Sequence, residues 1–140
     1  MEFHEFASRQ PTLYEAGVGD AVTLLGWSCA ECGAVTVASG QYGCASCGAE
    51  PDRLERRTLT GRGHLRAFVT VHQQLVPGRA APYVFGSVVL DEGPVIGAIL
   101  KVSEESSLRL GMAVAARGVA YRAEGEPEPK IECQFEPVSA

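Results

Sequence analysis

Apolar and polar residues alternate through much of the second half of the chain. "HLRAFVTVHQQL" (64–75) follows the turn signal "GRG" and is rich in β-branched and aromatic residues, which predicts a long strand. At period two, Leu65, Ala67, Val69 and Val71 share one face, and His64, Arg66, Phe68, Thr70 and His72 share the other. The first face reads as core. The second offers an aromatic ring, a cation, imidazoles and a hydroxyl together. "YVFGSVVL" (83–90) and "PVIGAILK" (94–101) flank "DEG" and predict a hairpin. "SEESSLRLG" (103–111) predicts a short helix, with Ser103 or Ser106 as cap, Glu104 and Glu105 at its positive end and Gly111 as its stop. "MAVAARGVAYRA" (112–123) predicts a strand bulged at Gly118. After the polar loop "EGEPEP", "KIECQFEP" (130–137) alternates Ile131, Cys133 and Phe135 against polar positions.

Three strands, a short helix and two strands is the chain order of an OB fold, a five-stranded Greek-key barrel. Ahead of these elements, "EFHEFASRQPTLYEAG" holds Phe3, Phe6, Leu13 and Tyr14, which predict a short helix or docking arm broken by Pro11. His4 reads as a surface residue.

Between arm and barrel lies "CAECGAVTVASGQYGCASCG" (29–48), with Cys29, Cys32, Cys44 and Cys47 in two Cys-x-x-Cys-Gly knuckles. Thiolates are soft donors, and four of them suit one tetrahedral zinc or iron ion. Gly33 and Gly48 suit the bend after each pair, which turns backbone N–H groups toward the sulfurs. Four protein ligands fill a tetrahedral shell and leave no place for a reacting water, so the expected role is structural. Iron would use the same ligands; with no other redox signature in the chain, zinc is preferred. Val35, Val37 and Tyr42 are the bulky apolar residues within the stretch, too few to fold it without a metal contributing ~10–16 kcal/mol. Cys133 reads as a small buried strand residue. The expected fold is mainly β: a short N-terminal helical arm (1–25), a rubredoxin-like zinc ribbon (26–52) and a five-stranded OB-fold barrel (53–140).

The 140 residues carry a net charge of -5, which disfavours a general nucleic-acid binder. The charge is uneven. Residues 51–80 place Arg53, Arg56, Arg57, Arg62, Arg66 and Arg79 against Asp52 and Glu55 alone. That basic stretch is either a solvated face or a site for an anionic ligand or acidic partner. The chain has no apolar run of ~18 residues, and "MEFHEFASRQ" lacks the apolar core of a signal peptide. The expected location is therefore the cytoplasm, where these cysteines stay reduced.

"CAECG" and "CASCG", then "LTGRGHLRAFVTVHQ", "APYVFGSVVLDEG", "LRLGMAV" and the ending "CQFEP" occur in one order over about residues 22–137. In this order the chain resembles a bacterial and archaeal family that fuses a rubredoxin-like zinc ribbon to an OB fold. The family's usual aromatic-proline pair between the knuckles is replaced here by "VTVASGQYG". The resemblance implies a non-catalytic accessory subunit in a complex with a thiolase, a related synthase or a thiolase-like aldolase. Such enzymes make or break C–C bonds beside a CoA thioester, as in benzoylsuccinyl-CoA thiolase. The OB fold would bind or channel the acyl-CoA.

CoA offers phosphates to cations and an adenine to a stacking ring. Arg62, His64, Arg66, Phe68 and His72 on the long strand, with Arg79 and Tyr83 in or beside the following loop, are the candidate ligand-binding residues. The alternative is a single-stranded nucleic-acid binder, since both modules serve that role elsewhere. Against it stand the acidic balance and the single Trp, Trp27, placed before the ribbon. An independent enzyme ranks last, because His64 and His72 stand roughly 26 Å apart along an extended strand.

Overall fold

The computed structural model describes residues 6–37, 43–74, 79–102 and 105–138. Tyr14–Ala16 (β1), Val22–Cys29 (β2), Val35–Thr36 (β3) and Leu54–Leu59 (β4) form a small antiparallel sheet. β2 lies at its centre. One edge of β2 pairs with β1 and β3, and the other pairs with β4 from Leu24↔Leu59 to Cys29↔Leu54. β4 was not marked by the hydrophobic pattern. Its sequence, LERRTL, is apolar only at its buried ends, Leu54 and Leu59, and exposes the four residues between.

Arg62–Val71 (β5), Tyr83–Leu90 (β6), Val95–Leu100 (β7), Ala113–Tyr121 (β8) and Lys130–Pro137 (β9) close into a barrel in the order β5-β6-β7-β9-β8. The β6–β7 hairpin falls where "DEG" predicts it, with Val89 opposite Val95. The parallel β7–β9 pairing rests on Leu100↔Phe135, and β5 meets β8 through Arg62↔Ala115 to His64↔Ala113. This is the expected OB barrel. Alternating residues fill it, among them Leu65, Val88, Leu90, Val114 and Phe135, each almost wholly buried.

Sheet and barrel share one core. Tyr14, Leu24 and Leu59 belong to the same buried cluster as Phe135, and Val35 and Val37 pack against it. The Tyr14 hydroxyl donates to the Ile131 carbonyl at 2.9 Å. Arg9 N–H donates to Ile131 O and Ile131 N–H to Ala7 O, both at 2.8 Å, so residues 7–9 run along β9. The Arg9 guanidinium reaches both oxygens of Glu126 at 3.0 Å and also donates to the Tyr121 carbonyl. This pairing holds the Glu126 carboxyl down to about 2, chiefly through the Arg9 hydrogen bond and then the Ala123 N–H. At Gly118, a Cβ would lie 2.9 Å from Ile131 Cγ2 and 3.0 Å from Val22 Cγ1. Glycine there lets β2 and β8 approach closely.

The helical arm is corrected. Among the described residues no α-helix occurs: residues 8–13 form a bridge, a bend and a turn, and Tyr14 begins a strand. Pro11 and the pairing with Ile131 favour that course over a helix. Phe3 and His4 lie outside the described residues. The helix expected at 103–111 is only a 3-10 turn, Glu105–Ser107, with Leu108 buried behind it; Ser103 and Glu104 lie outside the described residues. The bulge expected at Gly118 is absent, because β8 pairs with β9 in unbroken register.

The irregularity sits in β5 instead, where the register slips between Leu65 and Ala67. Leu65 donates to Met112 O and accepts from Gly111 N–H, which holds the strand there. The extra residue reverses the facing of everything after it. Phe68 packs against the core, and Val69 is 58% exposed. The two faces read from period two therefore hold only up to Leu65.

Candidate metal centre and barrel groove

The knuckles are built as the sequence predicts. Gly33 and Gly48 take φ of 81° and 79°, and their N–H groups donate to Cys29 O at 2.8 Å and Cys44 O at 2.9 Å. Cys29 and Cys44 N–H groups donate to Ala34 and Ala49 carbonyls at 2.9 Å, closing each loop. The four Sγ atoms lie within 4.8 Å of one another. Cys29–Cys47 and Cys32–Cys44 are 3.7 Å apart, far too long for disulfides. A tetrahedron of sulfurs about 2.3 Å from a central ion has edges of about 3.8 Å, so the donor set fits one zinc ion.

The charges point the same way. Backbone N–H groups of Cys47 and Ser46 lower the Cys44 thiol to about 6. Cys47 has the Ala49 N–H pulling it down, but the neighbouring thiols, Cys32 foremost, push it up to about 12. Four thiols this close ionise together only around a cation. Cys29 and Cys44 are buried against Leu54, Trp27, Ala34 and Ala49, while Cys32 and Cys47 are exposed. With four protein ligands, a bound zinc would tie the two knuckles together and keep no open position for substrate.

The candidate ligand residues fall into three groups. Phe68 packs half-buried against the core and is not on the face it was expected to share. Arg62, His64 and Arg66 are exposed along the first half of β5. His72, Arg79 and Tyr83 come together at the barrel mouth. A cavity of about 480 Å³ is lined by Arg79, Tyr83, Lys101, Tyr121 and Gln134, among others. One of about 370 Å³ is lined by Thr70, His72 and Glu105. Both include Pro82, Tyr83, Val84 and Val102, so they form one groove.

Arg79 is part of the groove wall. Its guanidinium lies 4.1 Å from the Tyr121 ring centre and 5.6 Å from that of Tyr83, and it is ion-paired with Glu132. Glu132 also accepts from Gln134 Nε2 at 2.9 Å. The Tyr121 hydroxyl is buried with no hydrogen-bond partner. Tyr121 and Gln134 were missed as groove residues, and Glu132 as the partner of Arg79. In the sequence they are ordinary members of two strand patterns, and only barrel closure brings them beside Arg79. Cys133 is buried as expected, and burial pushes its thiol up to about 12.

The fold agrees with a known protein structure. No curated protein matches the chain. A solved structure described as "Ltp2-ChsH2(DUF35) aldolase" is similar over 82% of this chain and 84% of that one, with a TM-score of 0.65 and 24% identity. At that identity the likeness speaks for the fold. The sequence model for the ChsH2 C-terminal OB-fold domain matches residues 56–119. Residues 56–119 are thus similar to the ChsH2 C-terminal OB-fold domain, and a four-cysteine cluster precedes them in the chain.

Proposed function

We propose that this chain is the small, non-catalytic subunit of a thiolase-superfamily complex that makes or breaks a C–C bond beside a CoA thioester. The observation that carries this reading is the match of residues 56–119 to the ChsH2 C-terminal OB-fold domain. The similar structure is described as an aldolase formed with Ltp2, which supports a catalytic partner here. A reaction of this class needs a base and a nucleophile, and the partner supplies them. Zinc ties the two knuckles together, and the shared core of Tyr14, Leu24 and Leu59 holds the sheet against the barrel.

The groove at the barrel mouth receives the CoA portion of the substrate. Tyr83 and His72 offer ring faces, Lys101 a cation at the rim, and Tyr121 a hydroxyl whose burial without a partner costs about 1–3 kcal/mol. A ligand that accepts from this hydroxyl relieves that cost. Arg79, already neutralised by Glu132, stiffens the wall rather than competing for phosphate.

The test is purification of tagged full-length chain from its native host, with the partner identified by mass spectrometry, beside titrations of the complex with an acyl-CoA and with a single-stranded oligonucleotide. A thiolase-fold partner and CoA binding are expected. A complex without such a partner refutes the reading. Oligonucleotide binding without CoA binding favours the nucleic-acid alternative, whose support is the exposed Arg57, Arg62 and Arg66 series.

A further inference from the structure

The outer face of β5, β6 and β7 is apolar where a solvated antiparallel sheet would alternate to polar residues. The slip at Arg66 turns Val69 outward, level with Phe85 and then Ile99 across the three strands. A second row joins His64, Val89 and Val95; between the rows stand Ala67, Ser87 and Gly97, with the exposed Arg66 of the slip beside Ala67. Val69, Phe85 and Val95 are three of the five exposed large hydrophobic residues among those described, at 58%, 43% and 44%. The Phe85 ring reaches over Gly97, where a Cβ would come within 2.8 Å of it. Clustered exposure of this kind marks an interaction surface more than scattered single residues do.

Charge identifies the occupant. Neither row carries an acid. Glu132, which borders the face beside Phe85 and Gly97, is held by Arg79. Arg9, Arg53, Arg79, Lys101, Arg117 and Lys130 each pair with a carboxylate. Arg62, His64 and Arg66, along β5 at the border of the face, are exposed, and among the described residues no ion pair engages them. A second copy docking through the same face would set these cations against each other.

We propose that this face docks the catalytic subunit, through a protein surface with an apolar centre and carboxylates opposite Arg62, His64 and Arg66. The proposal rests on the accessory-subunit reading above. Complementary charge at the rim would steer association and fix the orientation, while the apolar centre carries the affinity.

The experiment uses full-length, zinc-loaded chain and the thiolase-fold subunit recovered with it, with binding measured by biolayer interferometry. Val69→Asp and Phe85→Asp are each expected to weaken binding at least about tenfold, and Val18→Asp, at an exposed valine elsewhere, to stay within about twofold. Arg66→Glu is expected to weaken binding and to flatten its salt dependence. Circular dichroism and zinc content check the fold of each variant; Val69, more exposed than Phe85, keeps the test valid if Phe85→Asp unfolds. A complex that survives both aspartates unchanged overturns the docking face and leaves the accessory reading standing. If wild-type chain forms no complex with a thiolase-fold subunit, both fall. A homodimer dissolved by Val69→Asp, or binding of a dT oligonucleotide abolished by it, overturns the assigned occupant.

Discussion

Leu24→Ala tests whether ribbon and barrel are one folding unit. Leu24 lies on β2, the central strand of the cysteine-bearing sheet, yet it is fully buried in the cluster that holds Phe135. Truncating a buried leucine costs about 2–5 kcal/mol, and a site closed in by two layers collapses poorly, so about 3 kcal/mol is a fair central value. With a urea m-value of about 2 kcal/mol/M, the midpoint falls by about 1.5 M. The assay follows unfolding in excess zinc with two probes. Fluorescence of Trp27, the only tryptophan, reports the ribbon sheet, and far-UV circular dichroism reports mostly the barrel. Both transitions are expected to coincide in the wild type and to shift together in the variant. A shift in fluorescence alone would refute the shared core and make the ribbon an independent module.

The slip in β5 predicts an inversion: Phe68→Ala should cost about 2–4 kcal/mol and Val69→Ala less than about 0.5, measured by urea melts; an unslipped strand gives the reverse order. Chelation or Cys44→Ser should release the metal and expose the remaining knuckle thiols to a thiol reagent, while Cys133, pushed up to about 12 by burial, reacts only after denaturation. Because Arg9 holds Glu126 at about 2 against an ordinary 4.5, its stabilisation is complete above the ordinary value and is lost as pH falls through the lower one. The stability difference between wild type and Glu126→Gln should therefore shrink between pH 5 and pH 2 in acid melts.

The cysteine knuckles and the β6–β7 hairpin were legible because each is set by residues close in sequence. Gly33 and Gly48 announce their turns, and "DEG" announces its hairpin. The chain order of the barrel strands was legible for the same reason. The slip at Arg66 was not, because it depends on a clasp from Gly111 and Met112, distant in sequence, while the local alternation reads straight through. β4 was hidden because an edge strand can be polar along most of its length and still pair. The groove was half legible. His72, Arg79 and Tyr83 lie near one loop, but Tyr121 and Gln134 reach it only through closure of the barrel.

The bond from Tyr14 to Ile131 spans 117 residues, so order of synthesis matters to this chain. At roughly 5–20 residues per second, the ribosome needs about 6–23 s after making Tyr14 to deliver its acceptor. The four cysteines are all complete by residue 47, well inside that interval. The nascent chain can therefore capture its metal before β9 exists, and the first strand is locked down last.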